Sequence, residues 1–305
     1  MTRNKSAFTL VALLLALLCL SAAAVAPTLT FTFKNVTANS SAAETDTYAI
    51  NASGVITGDY VDSAGAQHGM ILKGKKLTTV DNKDCVTTPG SGATDGIQFY
   101  GINSAGVIAG WCGTTSGTTI GFTYAKGKFK TINISGSSVV QANGINDAAD
   151  VVGDYIDSTG VQHGFLLVGK KLTQLNPPGV VSTSTAWAIN DKGVVTVFGF
   201  NSASTYVSFT TANEGKTYTA FNPPGQGTLG VAIHAINGLG DIDATIFDTA
   251  NDRHGILLYK GKFYQFDDPS GVGSTRGDGL NDTLGIVGRY GSGTYGGIGY
   301  FAQAK

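Results

Sequence analysis

Short runs of alternating apolar and polar residues, separated by turn residues, fill the chain from about residue 28 onward. One stretch reads AWAIN, then the turn DKG, then VVTVFGF, the polar NSAST, and finally YVSFTT and TYTAFN on either side of NEGK. Alternation with a period of two predicts β-strands, and no stretch has the spacing of an amphipathic helix. Other stretches have KGK or VGK at the last turn, where glycine accepts a positive φ. The pattern therefore predicts a unit of four short antiparallel strands.

This unit is repeated along the chain. The lines GDYVDSAGAQHGMILKGKKLT, from Gly58, and GDYIDSTGVQHGFLLVGKKLT, from Gly153, share 15 of 21 positions. A shorter signature, such as YAIN or WAIN, marks six copies with spacings of 52, 43, 44, 47 and 44 residues; it ends at Asn51, Asn103, Asn146, Asn190, Asn237 and Asn281. A period of about 40–50 residues is typical of a four-stranded propeller blade.

The two ends of the chain predict a closed ring. The sixth copy stops after its third strand, GIGYFAQAK, while TLTFTFKN (residues 28–35) matches the fourth strand of the other copies. A strand that completes the last blade would leave no open sheet edge. We therefore expect an all-β fold: one six-bladed β-propeller of four-stranded blades over residues 27–305. The repeats lie near residues 46–81, 98–133, 141–176, 185–222, 232–267 and 276–303.

The first 26 residues differ from the rest. A positively charged start, TRNK, precedes an apolar run over residues 9–20 and the small residues SAAAVA. These are the parts of an export signal, with cleavage expected near Ala24 or Ala26; an uncleaved anchor is the alternative. Export predicts a secreted, periplasmic or cell-surface protein. No later segment is apolar enough over sufficient length to span a membrane.

Removal of the signal leaves two cysteines, Cys85 and Cys112. Two cysteines in an exported protein suggest one disulfide. If the first strand of each blade is innermost, the loop that carries Cys85 and the end of the second strand that carries Cys112 lie on the same face of the ring. We therefore expect the bond to form between blades one and two.

Composition excludes some functions. Hydrophobic residues make up 42% of the chain, which suffices for a large core and argues against disorder. The net charge is −1, and beyond the N-terminus no run of the sequence is basic. Clustered Lys and Arg are needed to displace counterions from nucleic acid, so no nucleic-acid partner is expected. We expect a monomer.

The pattern GIN-x-x-G-x-[IV]-x-G, H-G-[FMI]-L, G-K and PPG resembles the extracellular HAF repeat family, named for a His-Ala-Phe step. Here the step reads HGM at His68, HGF at His163 and HGI at His254. The resemblance extends from about Thr28 to the C-terminus and is clearest in copies one, three and five. It implies an exported bacterial repeat protein and brings no agreed catalytic residues.

The repeated histidines are expected to belong to the framework. At the start of the third strands the six copies carry His68, Ile120, His163, Val207, His254 and Ile298. A position that accepts Ile and Val is expected to pack between blades, where a neutral imidazole can bond to the backbone. Three sites spread around a ring cannot supply convergent ligands, so neither a metal nor another cofactor is expected.

The repeated GDY-x-D-S lines also offer Asp59, Asp62, Asp154 and Asp157. An Asp near a turn usually bonds to the local backbone, and we expect this role for all four. A Ca²⁺ loop would need denser oxygen ligands.

The copies differ most at one position, two residues before the Ile or Leu of the signature. It is occupied by Tyr48, Tyr100, Asn143, Trp187, His234 and Asp278. On innermost strands these side chains would form a ring near the mouth of the central channel, where aromatic and polar groups suit a sugar. Packing between blades by large side chains is the alternative.

Arginine is confined to the last two copies. Beyond the N-terminus the chain has only Arg253, Arg276 and Arg289, and the strand directions place all three toward the face that carries His234 and Asp278. Converging guanidinium groups would bind a carboxylate or sulfate. Each arginine alone could instead be solvated or paired with an Asp. Sialidases also use three arginines on six-bladed propellers, but their repeated Asp-box and Tyr–Glu pair are not evident here.

Three functional classes remain open. A non-catalytic binding module for an acidic polysaccharide or another anionic extracellular ligand is favoured. Its predicted contacts are Arg253, Arg276, Arg289, His234, Asp278, Trp187, Tyr48 and Tyr100. A hydrolase or lyase acting on extracellular carbohydrate is second, since Glu occurs only at Glu44 and Glu214 and GxSxG, HExxH and GxxxxGK[ST] are missing. No catalytic residue is assigned. A structural envelope or matrix scaffold is third.

Overall fold

The computed structural model describes residues 28–86, 96–271, 273–291 and 297–305. Within these ranges the chain forms 24 β-strands and no helix. The predicted export signal lies outside the described residues.

The strands form six antiparallel units, which we number as blades in chain order. Blade 1 contains β2 (Glu44–Ile50), β3 (Val55–Val61), β4 (Gln67–Lys73) and β5 (Lys76–Val80). Blade 2 contains β6 (Ile97–Ile102), β7 (Ile108–Gly113), β8 (Thr119–Ala125) and β9 (Lys128–Ile132). Blade 3 contains β10 (Val139–Ile145), β11 (Val151–Ile156), β12 (Gln162–Val168) and β13 (Lys171–Leu175).

The second half of the chain repeats this order. Blade 4 contains β14 (Ser184–Ile189), β15 (Val195–Phe200), β16 (Tyr206–Ala212) and β17 (Thr217–Ala220). Blade 5 contains β18 (Val231–Ile236), β19 (Ile242–Phe247), β20 (Arg253–Tyr259) and β21 (Lys262–Phe266). Blade 6 contains β22 (Arg276–Leu280), β23 (Gly285–Tyr290) and β24 (Ile298–Ala304). The all-β, six-bladed propeller predicted from the repeats is confirmed.

The N-terminal strand β1 (Phe31–Asn35) pairs antiparallel with β24, in a register from Phe31 opposite Ala304 to Asn35 opposite Tyr300. It therefore takes the place of the fourth strand in blade 6. The rings of Phe31 and Phe33 lie 5.1 and 6.4 Å from that of Phe266 in blade 5. That removal of β1 opens the ring stays a prediction.

The signature asparagines explain why the inner strands meet in a ring. Each Asn side chain donates from Nδ2 to the backbone oxygen of the equivalent Asn in the next blade, over 3.0–3.4 Å. The last of these bonds runs from Asn281 back to Asn51, so the six bonds close on themselves. The Oδ1 atom accepts amide hydrogens of the following turn, as in Asn51 with Ser53 and Val55. Each Asn side chain thus stabilises its own turn and connects its blade to the next blade.

Strand direction gives the ring two faces. The inner strands run toward the Asn ring, so that end carries the turns between first and second strands and the hairpins between third and fourth strands; we name it the hairpin face. The opposite end carries the loops between second and third strands and the connections between blades; we name it the site face. The predicted disulfide is confirmed on the site face, where Cys85 and Cys112 are bonded with their Cα atoms 5.6 Å apart.

Apolar residues fill the space between adjacent blades. Leu257 and Phe266 of blade 5, for example, pack with Leu280 and Tyr300 of blade 6, and all four are at most 6% exposed. Such clusters are continuous with the inner Ile and Leu residues that narrow the central channel. Burial on this scale makes the ring a rigid support for its loops.

Candidate functional site

The variable residue of each signature lies at a β-bulge of the inner strand. The pairing between first and second strands skips one residue in every blade, and the skipped residues are Tyr48, Tyr100, Asn143, Trp187, His234 and Asp278. A bulge leaves one residue unpaired and re-aims its side chain. These six side chains surround the site-face mouth of the channel, a space of about 80 Å³. The predicted ring is therefore present, whereas its binding of a ligand stays a prediction.

Aromatic contacts connect four of the six residues of this ring. The Tyr48 and Tyr100 rings stack with centroids 4.1 Å apart, and Tyr100 meets the Trp187 ring edge to face at 5.4 Å. Trp187 in turn meets the His234 imidazole at 5.1 Å. Trp111, which the sequence did not single out, stacks on Tyr100 at 5.7 Å. Much of the aromatic surface is therefore used for packing between blades, as the alternative interpretation expected.

Arg276 is held in place by three neighbours. Its Nε donates to Asp278 Oδ1 over 2.6 Å, and its guanidinium carbon lies 5.5 Å from the Trp187 ring centroid. Its Nη2 lies 3.4 Å from Nδ1 of His234. Burial lowers the pKa of His234 well below its ordinary value, and the Arg276 charge lowers it further. His234 is therefore neutral, and its Nδ1 accepts the arginine hydrogen.

Arg289 has a different role from the one predicted. Its Nη1 donates to Asp46 Oδ2 at 2.7 Å and to the Tyr48 hydroxyl at 2.9 Å. Burial alone would lower the pKa of Arg289, but Tyr48 and Asp46 outweigh it and hold that pKa well above its ordinary value. Asp278 lies 4.0 Å from Nε. Arg289 thus joins blade 6 to blade 1 as an ion-paired residue and does not line the pocket described next.

The positive charge of the third arginine, Arg253, is not neutralised by an ion pair. Among the described residues it has no carboxylate within ion-pair distance, and its guanidinium carbon lies 5.7 Å from the Phe247 ring centroid. Burial lowers the pKa of Arg253, and the positive charges of Arg276 and Arg289 lower it further. Three cations therefore lie close enough to repel one another, and the outermost of them faces solvent.

A pocket of about 160 Å³ opens beside Arg253, between blades 4 and 5. Its aromatic walls are Trp187, Phe198, Tyr206 and Phe247, and its polar lining is His234, Thr245, Arg253 and Arg276. Of the eight predicted contacts, four line this pocket: Arg253, Arg276, His234 and Trp187. Tyr48, Tyr100 and Asp278 line the channel mouth next to it. All eight belong to one connected group on the site face.

Sequence reasoning missed Phe198, Tyr206, Thr245 and Phe247. A signal was available, because these positions depart from the repeat. Arg253 replaces the Gln that precedes the repeated histidine in blades 1 and 3, so QHG becomes RHG, and the second strand reads DATIF where blade 1 has TGDYV.

The aspartates of the repeated GDY lines divide into two groups. Asp62 and Asp157 each accept two backbone amides of their own turn, as predicted. For Asp59 and Asp154 the prediction was wrong, because both lie inside second strands and are at most 3% exposed. There the side chain points between blades, away from any turn.

A glutamine of the neighbouring strand donates to one oxygen of each of these buried carboxyl groups. Gln67 Nε2 donates to Asp59 at 2.7 Å, and Gln162 Nε2 donates to Asp154 at 3.1 Å. Burial raises the pKa of Asp154 to about 7 and that of Asp59 well above its ordinary value.

The repeated histidines bond to side chains, not to the backbone as expected. His68 lies 2.7 Å from Asp81 and 3.3 Å from Asp62, and His254 lies 2.8 Å from Asp267 and 3.4 Å from Asp248. Burial alone would lower the pKa of each histidine, but the hydrogen bonds to these carboxylates raise it above its ordinary value.

His163 makes the corresponding contacts with Asp157, at 2.7 Å, and with the Gln174 amide, at 2.9 Å. Cross-strand pairing puts all three histidines at one equivalent place, opposite Tyr60, Tyr155 and Ile246. The described part of the chain has no cluster of three or more His, Cys, Asp or Glu side chains arranged to hold a metal ion.

Four of the carboxyl groups near the site are buried within the blades. Asp46, Asp59, Asp243 and Asp278 are at most 5% exposed. Burial raises the pKa of Asp243 well above its ordinary value, with Asp278 raising it further. A glycosidase needs two carboxyl groups on either side of a substrate. Of the four, Asp46 and Asp278 instead accept hydrogen bonds from Arg289 and Arg276.

The fold is shared with solved propeller structures. A mutant Aleuria aurantia lectin in complex with Fucalpha1-6GlcNAc is 12% identical, with a TM-score of 0.53 over 84% of this chain and 93% of that one. Another structure of this lectin is described as a six-bladed β-propeller. AofleA from Arthrobotrys oligospora is 10% identical, with a TM-score of 0.50 over 88% of both chains. The Hadza microbial sialidase Hz136 is 14% identical, with a TM-score of 0.51 over 86% of this chain and 65% of that one.

At these identities the likeness concerns the fold alone. No family model matches the chain, and no curated protein sequence matches it significantly. Across the ranges that the structure describes, no helix has the length and apolar character needed to cross a membrane.

Proposed function

We propose that the protein is a non-catalytic carbohydrate-binding module, exported as the HAF-repeat resemblance implies, and that its site is the pocket between blades 4 and 5. The observation that carries the proposal is the exposed Arg253, which has no ion-pair partner among the described residues, beside an aromatic-walled pocket that Arg276 also lines. The solved lectins of similar fold bind fucosides, which supports a glycan as the class of ligand.

The size and lining of the pocket fit one sugar ring. A cavity of about 150 Å³ can hold a six-membered ring such as benzene, and this pocket measures about 160 Å³. Apolar faces of sugars pack on aromatic rings, here those of Trp187, Phe198 and Tyr206, while a few polar groups fix the orientation. Thr245 and the neutral His234 are the uncharged polar residues of the pocket lining.

The charge at the site favours an acidic sugar. Asp278 already neutralises Arg276, and Asp46 neutralises Arg289, so the charge of Arg253 is the one left for a ligand. A carboxylate or sulfate that reaches Arg253 relieves its repulsion from the other two arginines. Charge-assisted hydrogen bonds of this kind are roughly twice as strong as neutral ones.

A hydrolase or lyase is less well supported by the same geometry. Asp46, Asp59, Asp243 and Asp278 are buried between strands, and Asp46 and Asp278 are engaged by arginines.

A glycan array tests the proposal, with protein that begins at Pro27, the predicted mature start. We expect binding to glycans that contain uronic acid, sialic acid or sulfate, with weaker signals at raised salt and in the Arg276→Ala variant. Binding confined to neutral glycans would contradict the acidic ligand. Binding to no glycan would favour the scaffold, and release of a shortened glycan would favour the enzyme.

A further inference from the structure

Lysines that are scattered along the sequence converge on the hairpin face. The described residues include 15 lysines, and 12 of them lie at this end of the blades. They are Lys73, Lys75, Lys76, Lys126, Lys128, Lys170, Lys171, Lys192, Lys216, Lys260, Lys262 and Lys305, and each is exposed. The repeat contributes one to three per blade, so no run of the sequence is basic although the assembled face is.

Apart from Lys192, which lies in a turn beside the Asn ring, these lysines lie at the outer edge of the face, most of them at the hairpin turns. In blades 2 and 5 the turn is Lys-Gly, with Lys126 and Lys260 at φ values of 50° and 49°. In blades 1 and 3 the turn is Gly-Lys, so that Lys75 and Lys170 occupy the second place. Blade 6 has no such hairpin, but Lys305 follows β24 at the same level. The lysines therefore form a circle in one plane.

Carboxylates on the hairpin face are fewer and lie closer to the axis. Five are in the turns beside the Asn ring and one is in the blade 4 hairpin: Asp147, Asp150, Asp191, Asp241, Asp282 and Glu214. Three of them accept a backbone hydrogen from the neighbouring blade or its turn, as Asp191 does from the amide of Asp147. The excess of lysine is thus concentrated at the periphery.

The site face has the opposite composition. The described parts of its loops carry one lysine, Lys83, and eight carboxylates: Asp62, Asp81, Asp84, Asp157, Asp248, Asp252, Asp267 and Asp268. The arginines of the pocket are the other cations there. The ring is consequently polar along its axis, basic at the hairpin face and acidic around the rim of the site face.

We propose that the hairpin face docks on the anionic surface of a lipid bilayer. A circle of flexible, exposed ammonium groups in one plane fits a flat surface with many mobile anions, and each lysine near such a surface contributes about 1 kcal/mol. Leu239, 65% exposed, and the half-exposed Val168 and Leu172 lie on the same face and can enter the headgroup layer. Docked in this way, the protein would present its pocket away from the membrane.

Cosedimentation with lipid vesicles tests this proposal independently of any glycan. We expect the protein from Pro27 onward to bind phosphatidylcholine vesicles that contain about one-quarter phosphatidylglycerol, and to release them at raised salt. Pure phosphatidylcholine vesicles should not bind. The variant Lys75→Gln/Lys170→Gln/Lys262→Gln, with one change on each of three alternate blades, should bind the anionic vesicles on the order of 100-fold more weakly.

The matched control is Lys34→Gln/Lys83→Gln/Lys130→Gln, which changes the net charge equally but leaves the hairpin face intact. It should keep its affinity for vesicles to within about threefold. Equal loss in both variants would show that net charge alone matters and would overturn the proposal. So would failure of the unaltered protein to bind anionic vesicles, or binding to duplex DNA in their place. Circular dichroism and thermal unfolding establish that both variants are folded.

Discussion

Blade 5 shares its histidine, and the Asp that begins the turn before it, with blades 1 and 3, but it differs from them at a pair of positions that lie beside the pocket. In blades 1 and 3 a buried carboxyl group on the second strand accepts a hydrogen bond from a glutamine that begins the third strand: Asp59 with Gln67, and Asp154 with Gln162. The glutamines of these pairs also bond to the next blade, Gln67 with the amide of Gly96 and Gln162 with the hydroxyl of Thr185. Blades 1 and 3 thus have the same buried Asp–Gln pair.

In blade 5 the pair is Thr245 and Arg253, at the equivalent places. The buried hydroxyl of Thr245 has no hydrogen-bond partner among the described residues. Arg253 extends to the edge of the pocket. At this pair of positions, the hydrogen-bonded Asp and Gln of blades 1 and 3 are thus replaced in blade 5 by a Thr and an Arg that line an open pocket.

Removal of β1 should have the largest effect on stability, because blade 5 and blades 1 and 3 all belong to the ring that β1 completes. A protein that lacks residues 28–35 leaves β24 as an exposed edge and uncovers Phe266, against which Phe31 and Phe33 pack. Loss of two large aromatic side chains costs roughly 3–5 kcal/mol each when they are fully buried. We expect a protein that is unfolded or aggregated at room temperature, as measured by circular dichroism and gel filtration. A deletion variant with the unfolding midpoint of the intact protein would contradict the closing role of β1.

Substitution at Arg253 should have the next largest effect. Arg253→Gln restores the residue of blades 1 and 3 and removes the unpaired charge, and we expect on the order of 100-fold weaker binding of an acidic glycan. Arg253→Lys keeps the charge but not the planar fork, and should bind with intermediate affinity. Isothermal titration measures both. Equal glycan affinities of the unaltered protein and the two variants would contradict a role for Arg253 in binding.

The reverse exchange in blade 1 should lower stability without creating a site. In the variant Asp59→Thr/Gln67→Arg, a buried hydrogen bond is lost and a guanidinium enters a region where the pocket walls of blade 4 have no counterpart. We expect a loss of roughly 1–3 kcal/mol in the free energy of unfolding, measured by urea denaturation. The stoichiometry of glycan binding should stay unchanged. A second binding site in this variant would show that the Thr–Arg pair alone suffices.

The repeated histidines should produce the smallest effect, on the pH dependence of stability. The pKa values of His68 and His254 are raised in the folded protein, so their contribution is fully present below the unfolded pKa of about 6.5 and is lost as the pH rises through the folded pKa. We expect His68→Ile/His254→Ile to lower the unfolding temperature more at pH 5.5 than at pH 8. Glycan binding should not change. A greater loss at pH 8 would contradict the ion-paired assignment.

The fold could be predicted in detail because each copy of the repeat encodes the strands of one blade in a continuous stretch of sequence. Strand alternation, the six signatures and the incomplete last copy each depend on local sequence, and the Cys85–Cys112 bond followed from strand direction. The six asparagines could be recognised from the sequence only as a repeated motif. The hydrogen bonds of their ring could not be predicted, because they join residues 43 to 52 positions apart, or 230 positions apart between Asn281 and Asn51.

The site was predicted less completely for the same physical reason. Which arginine is neutralised depends on contacts between distant blades, as when Arg289 meets Asp46, and these are not encoded in spacing. The bulges that aim Trp187 and His234 depend on cross-strand register. The basic face was missed because it collects one to three lysines from each repeat.

The central claim is that the Thr245 and Arg253 exchange makes the pocket a site for an acidic glycan. Its most direct test is titration of one acidic glycan from the array into the unaltered protein and into Thr245→Asp/Arg253→Gln, which rebuilds the Asp–Gln pair of blades 1 and 3. Because Gln donates to the buried Asp in both blades where this pair occurs naturally, we expect the variant to fold, as checked by circular dichroism. One glycan should bind per unaltered chain, and none should bind measurably to the variant. A folded variant that binds the glycan with undiminished affinity would contradict the claim.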